Sequence, residues 1–520
     1  MTALDDGAEI DYFTVKTAGI LYNKFFLGIF IDFIWGRAFI YAFFQLYLNL
    51  EGHQYNGVIS FIRILWAVSF IWGVFSDAFP ILRKRRIPYM IIGWVGCLTA
   101  FVFCALLKNP EPFYFVEGCH INKSIINNPS NVETAAPYAV AIAVATCMLS
   151  IADVASDALV IEYNRREPIT TRGQATTLAT LMESFGRLLT IVVIGVLMNG
   201  PSFNGIFCWE ITISQYFIYL SFVCIAGIFT ALFTTVEECK VKNYSSKFLK
   251  KYLKDFWVKI SEKEFVKFCF FIFIYFIFFD VESSATVKVK SIYANVTPVA
   301  NTISNFFACL LFTVSMYLYK KYFINVSWRK MLCFINCFIV AFSLIIDTIT
   351  IFDWIRNPYF YCSEGITKNF SIGILVVLII QVCAELTSSK FEGLTFGLFM
   401  SVWTAASPIA LVIGNILSAK FDVSNDSRYF RDSASDRWQI FSAILVCKFI
   451  NICGIIFLFT LLTDQKVQMQ ENIKLGIMWP RRRNIFVFIF LCSLIWIIIT
   501  NVLTLHPSTS CYILVGGSGC

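Results

Sequence analysis

Asp153 and Asp157 stand four residues apart, directly after a run from Thr134 to Ala152 that holds no charged side chain. On a helix that spacing puts both carboxylates on one face. Two carboxylates so close in apolar surroundings cannot cheaply both ionise, so one is expected to keep a proton. Asp153 is the deeper of the two and the better candidate for reversible protonation. Glu183 and Arg187 repeat the spacing and could neutralise each other as a structural pair or belong to a site. Asp32 and Arg37 occupy one further apolar block, Asp280 and Glu282 another, and Asp347 and Glu385 one each. Arg37 and Arg187 are the candidates for holding an anion, because a guanidinium stays charged and grips a carboxylate with two bonds. The bland alternative is structural pairing, or snorkelling toward water for Asp347 and Lys390. His53, His120 and His506 all fall outside the apolar blocks, so proton chemistry within them must rest on carboxylates.

The elements that must position these groups are set by composition. Of 520 residues 58% are hydrophobic and 15% charged, with a mean hydropathy of +0.70. A soluble chain of this length could not hide so much apolar surface. The apolar residues come in blocks of about 20, the length a helix needs to cross a bilayer, and strand-type alternation is absent. Spans are expected near 25–48, 57–79, 88–108, 136–162, 173–198, 211–235, 265–290, 297–320, 328–352, 370–391, 394–419 and 438–463, with a further apolar run at 484–505. A charge inside such a span costs about 2.5–3.5 kcal/mol on insertion scales, which makes each one a functional candidate by default. The 55 Phe are abundant enough that a Phe-rich stripe reads as lipid-facing bulk.

Lys and Arg in the loops give orientation. Arg83 to Arg86, Arg165, Arg166 and Arg172, the Lys-rich stretch from Lys240 to Lys259, and Lys320, Lys321, Arg329 and Lys330 all fall on one side, assigned to the cytoplasm together with the amino terminus. Sequons at Asn122, Asn295, Asn369 and Asn425 fall on the other, while Asn243 and Asn325 match the same pattern on the inner side. The expected organisation is a tail at 1–24, a six-helix bundle at 25–236, a basic linker at 237–263, a second six-helix bundle at 264–463, and a tail at 464–520 that carries the 484–505 run. The linker reads as a solvated inner loop, with binding to anionic lipid as the alternative. Among the 18 cysteines there is no CxxC pair or zinc spacing. Cys119, Cys208 and Cys362 fall in expected outer loops, which leaves a disulfide open.

Three passages carry a resemblance. Gly73-Val-Phe-Ser-Asp77, followed by the basic cluster at Arg83, Arg85 and Arg86, resembles the loop signature of the major facilitator superfamily. Its extension through Pro80-Ile and Arg86-Ile-Pro88-Tyr89-Met to Gly93-Trp94 is similar to the folate–biopterin transporter family. So is Asp153-Val-Ala-Ser-Asp157-Ala-Leu-Val-Ile-Glu162, which precedes Arg165. Asn199-Gly200-Pro201 and Glu392-Gly393-Leu-Thr-Phe-Gly397 agree more weakly. The resemblance spans both halves, about 25–463. It implies an all-α membrane protein of two six-helix bundles, with Gly73, Asp77, Arg83, Arg85, Arg86, Glu162 and Arg165 as gating residues that latch neighbouring helices. The sequence departs from the family at Leu65, Ser69 and Phe70, where Pro, Lys and Pro would stand. The family's second-span lysine is therefore missing.

The expected activity is proton-coupled transport of a folate- or pterin-type solute by alternating access. The substrate and proton candidates are Asp153, Asp157, Glu183, Arg187, Asp32, Arg37, Asp347 and Glu385. Carriage of another organic solute keeps the same fold, because fold does not dictate cargo. A non-transporting receptor or an enzyme lacks supporting features: no metal-ligand cluster and no phosphate-binding Gly loop is present. No cofactor, metal or nucleic-acid partner is expected; the partners are the solute, protons and the bilayer. With no signal peptide or sorting motif read, the plasma membrane is the default address.

Overall fold

The computed structural model describes residues 14–31, 33, 38–50, 52–168, 173–233, 237, 246–323, 326–388, 390–418, 420–421, 432–505, 509 and 512. Asp32 and Arg37, two of the candidate site residues, lie outside them, as does the sequon at Asn425. The apolar blocks become helices, as they must when water is absent and every backbone polar group needs an internal partner. Among the described residues ten helices are long and apolar enough to cross a membrane.

In the first half these elements are α1 (Val15–Ile31), α2 (Gly52–Ile64), α3 (Ser69–Ala78), α4 (Ile87–Leu106), α5 (Asn131–Arg166), α6 (Gln174–Leu197) and α7 (Ile213–Phe233). A linker helix, α8 (Ser246–Lys259), follows. The second half holds α9 (Lys263–Phe279), α10 (Pro298–Leu318), α11 (Trp328–Ile351), α12 (Pro358–Leu386), α13 (Glu392–Ser418), α14 (Ala434–Cys453) and α15 (Ile455–Leu461). The short polar α16 (Lys466–Lys474) and the apolar α17 (Pro480–Leu505) close the chain.

Several expected boundaries move; the expected seventh span, 265–290, for one, ends as a helix at Phe279, before Asp280 and Glu282. The first helix begins at Val15 rather than near 25, so residues 15–24 are helix and not tail. The tenth expected span begins at Pro358 instead of 370, which puts the sequon residue Asn369 and the buried Cys362 inside a helix rather than in a loop. The basic linker is not wholly a loop: Tyr252 and Phe256 are buried, four apart on one face of α8, whereas Lys250, Lys251 and Lys254 are exposed. One element lies outside the all-helical expectation. Strands β1 (Tyr114–Glu117) and β2 (His120–Ile126) pair antiparallel, and Gly118 takes the positive φ of 60° that the tight turn between them requires. Cys119, in that turn, forms a disulfide with Cys208.

The chain divides into two compact units. One comprises residues 1–256, 316–320 and 376–401; the other comprises 257–315, 321–375 and 402–520. In the first, α5 packs against α4, while α1 lies along α6 and α7. An aromatic cluster of Phe30, Phe33, Phe39, Phe43, Phe101, Tyr216 and Phe217 fills its centre. In the second, α11 packs on α14 and α15, and α9 packs on α15 and α17.

Small residues set the closest approach in the first unit. A side chain on Gly28 would meet the Glu183 carbonyl oxygen at 1.9 Å, and one on Gly186 would meet that of Phe25 at 2.0 Å. Backbones can pack this closely only where both helices present glycine at the crossing. Replacing Gly186 with Leu is therefore expected to force α1 and α6 apart at a cost of about 1–3 kcal/mol. Gly365, beside which there is nothing within 4 Å, should accept Ala with stability kept or raised by up to about 1 kcal/mol. Thermal unfolding of the two purified variants in detergent checks both expectations.

Candidate functional site

The crossing of α1 and α6 brings a charge cluster together on the inward faces of three helices. Lys24 of α1 is 1% exposed at its side chain. Its Nζ lies 3.0 Å from Asp153 Oδ1, 2.6 Å from Asp157 Oδ1 and 3.7 Å from Glu183 Oε2. Glu183 in turn accepts a hydrogen bond from Arg187 Nη2 at 2.7 Å. Next to Lys24, Asn23 donates to the Gly227 carbonyl and to Thr230 Oγ1, both at 3.2 Å, which fixes α1 against α7.

Asp153, Asp157, Glu183 and Arg187, expected as site residues, are thus united by a residue that sequence reasoning missed. The aspartates are not a bare dyad, because an ammonium stands between them. Lys24 falls in the stretch expected as a tail, one residue before the first expected span, although two carboxylates on one apolar face call for a cation. Among the described residues three carboxylates face two cations here, which leaves one negative charge in excess when all five groups are ionised.

A second constellation forms around the end of α3. Asp77, with its side chain fully buried, pairs with Arg86 Nη1 at 2.6 Å and lies 3.5 Å from Arg85 Nη2. Arg86 also reaches Glu162 Oε1 at 2.9 Å and Glu392 Oε2 at 3.1 Å, and Arg85 reaches Glu392 at 2.9 Å. Burial opposes the charge on Arg86, but the carboxylates of Asp77, Glu162 and Glu392 outweigh it and push its pKa above the usual arginine value.

Asp77 does more than pair. It accepts from the backbone N–H of Gly393 at 3.2 Å and of Leu394 at 2.8 Å, capping the positive end of α13 from outside that helix. Arg165 does the reverse at the neighbouring helix: its Nη1 donates to the carbonyls of Ala384 and Thr387, at the negative end of α12. The turn between α12 and α13 is thereby held at both ends by charges matched to the helix dipoles.

Gly73 is explained by the same contact. A side chain there would meet the Gly393 carbonyl oxygen at 2.3 Å. Ser69, in place of the family's lysine, is buried and bonded to the Gly397 carbonyl and to Ser401 at 3.2 and 3.1 Å, a site with no room for a longer side chain.

Three supports of this constellation were not foreseen. The Glu237 carboxylate accepts from the backbone N–H of Arg85, Arg86 and Ile87, capping α4. The Tyr252 hydroxyl of α8 donates to Asp77 Oδ2 at 3.0 Å. Its ring packs on Phe391 at 4.9 Å, as Phe256 does at 5.3 Å. The signal for Tyr252 and Phe256 was their four-residue spacing within a Lys-rich stretch.

Of the expected gating residues, Gly73, Asp77, Arg85, Arg86, Glu162 and Arg165 come together. Arg83 does not: it is exposed in a tight turn at φ 63° and makes no ion pair among the described residues. Glu385 is buried in the last turn of α12, away from that helix's middle. Asp347 belongs to the second unit, near Lys448 at 3.9 Å, and has no part in the Lys24 cluster.

Over residues 28–475 the sequence matches the family model described as the BT1 family. It is 22% identical over 422 residues to the protein named folate transporter 1 of Plasmodium falciparum (isolate 3D7), which covers 80% of this chain and 74% of that one. Among solved structures, a D-xylose–proton symporter superposes with a TM-score of 0.56 at 11% identity, over 87% of this chain and 99% of its own. The major facilitator superfamily proton:xylose symporter XylE bound to 6-bromo-6-deoxy-D-glucose gives 0.55 at 10% identity, over 89% and 98%. At such identities the likeness is one of fold: the chain is a multi-pass membrane protein of major-facilitator type.

Two expectations follow from the geometry. Lys24→Met leaves Asp153 and Asp157 without their cation and should cost about 3–5 kcal/mol; adding Asp153→Asn and Asp157→Asn should restore most of it, measured by thermal unfolding. Asp77→Asn removes the charge that caps α13, so the buried Cys383 should react faster with a thiol reagent, at a rate read residue by residue by mass spectrometry. An unchanged rate at Cys383 would show that the caps do not hold this turn closed.

Proposed function

Because the chain belongs to the BT1 family, we propose that it is a secondary active transporter that moves a folate- or pterin-type substrate together with protons. The observation that carries the reading is the charge count of the Lys24 cluster, three carboxylates against two cations among the described residues. A single proton balances it. An ammonium has three donors, and in this conformation they face Asp153, Asp157 and Glu183.

Protonating Asp153 releases one donor of Lys24 for an anionic group arriving with the substrate. Arg187, with a quarter of its side chain exposed, offers a second contact for the same carboxylate. The anion is disfavoured in a dry site while the cluster keeps its excess negative charge, so its uptake is conditional on the proton that first balances that charge. The name of the Plasmodium relative supports folate as cargo, and the family membership supports alternating access, with the Asp77–Arg86 latch as the inner gate.

A second reading keeps the mechanism and changes the cargo to another organic anion. It is favoured by Ser69, which stands where the family's lysine would meet a carboxylate and is sealed against Gly397 and Ser401.

Uptake into proteoliposomes separates the outcomes. An inward proton gradient should accelerate entry of labelled folate, and folate or biopterin should compete where unrelated anions do not. Asp153→Asn is expected to abolish the response to the gradient, a loss of about tenfold or more in rate (~1.4 kcal/mol per tenfold), while substrate exchange without a gradient persists. A variant that still responds fully would remove Asp153 from the proton role. Indifference to pterins with intact uptake of another anion would move the cargo to the second reading.

A further inference from the structure

The second unit holds a buried carboxylate that the scheme above does not use. Asp347 lies in α11 with its side chain 0% exposed, and among the described residues neither of its oxygens has a hydrogen-bond partner. One cation is near it. Lys448 of α14 stands 3.9 Å from Asp347 but 3.1 Å from Glu364 of α12. Ser343, one turn before Asp347, donates to Glu364 and accepts from Lys448. The other ionisable groups that face Asp347 are Glu282 and Tyr361. Glu282 has its own cation in Lys368, at 3.9 Å.

Two carboxylates therefore share one ammonium, and the hydrogen bonds are distributed unequally. Glu364 has the ammonium and the one O–H of Ser343; among the described residues no donor lies within hydrogen-bond distance of either Asp347 oxygen. A buried ionised carboxylate without a hydrogen bond is far costlier than the neutral acid. We propose that Asp347 is a second proton-binding site, separate from the Lys24 cluster: it holds a proton in this conformation and releases it when Lys448 moves from Glu364 to pair with it. In that step the carboxyl O–H bond breaks, the proton passes to water, and the electron pair stays on Asp347 as the charge that Lys448 then neutralises. Lys448 has to travel little, because it already lies within 4 Å of both carboxylates. The same proximity argues against a metal cation there, since an ammonium occupies the position that such an ion would need.

The test requires no substrate, so its outcome is independent of the cargo assigned above. Infrared titration of the purified full chain reads protonated carboxyl groups directly through their C=O stretch. A protonated-acid band is expected at neutral pH that disappears in Asp347→Asn and persists in Asp153→Asn and Asp157→Asn. Asn matches the neutral acid in shape, so the variant should keep its Tm. Glu364→Gln provides an independent arm: it frees Lys448 for Asp347, and the band should vanish at neutral pH although Asp347 is still present. Exchanging sodium for potassium should leave the band unchanged. An acid band that is identical in the native chain, Asp347→Asn and Glu364→Gln would overturn the proposal, as would a band that responds to sodium.

Discussion

A charge taken out of water must find its opposite, and the architecture of the first unit follows from meeting that demand at Lys24. The ammonium is buried among Asp153, Asp157 and Glu183, which come from two different helices, so α1, α5 and α6 cannot separate without exposing at least one uncompensated charge. The close crossing at Gly28 and Gly186 is the geometric condition for this. With side chains at those positions, the helix backbones could not approach closely enough for Lys24 to reach Glu183. Packing and electrostatics therefore fix the same three helices, and neither would be stable as arranged without the other.

The charges around Asp77 meet the demand in another way. Part of what they neutralise is not a side chain but the ends of α12 and α13, whose backbone groups have no partner within their own helices. Arg165 serves the carbonyls and Asp77 the N–H groups, on either side of one turn. Because the partner is backbone, these caps place no demand on side-chain identity at the N–H and carbonyl groups they meet, while the close approach does demand glycine at Gly73.

What the sequence disclosed and what it hid divide along chain separation. Helices were legible because an apolar block of about 20 residues has one solution in a bilayer. Asp153 with Asp157, and Glu183 with Arg187, were legible because each pair is four residues apart. Lys24 was not, since its partner Asp153 lies 129 positions away and position 24 fell in the expected tail, outside every expected span. Tyr252 was equally remote, 175 positions from Asp77. The motif at Gly73 to Arg86 announced a charge cluster but not its target, which is a helix terminus and carries no sequence signal beyond Gly393. The strand pair at 114–126 was hidden for a different reason: it is tied by Cys119 and Cys208, and two cysteines among 18 do not declare their pairing.

The clamp on the α12–α13 turn has a consequence for how it can open. Its charges are buried, so mobile ions cannot screen them, and added salt has little leverage over it. Each contact it loses must be exchanged for one with water, at Asp77, at Arg86 and at four backbone groups nearly at once. Opening is then a wetting transition of a small dry volume. A partial crack that admits no water leaves every one of these groups unsatisfied, and that is the least favourable arrangement of all. The turn is therefore expected to stay shut or to open as a unit, so that ordinary thermal jostling of these helices does not leave a half-open leak.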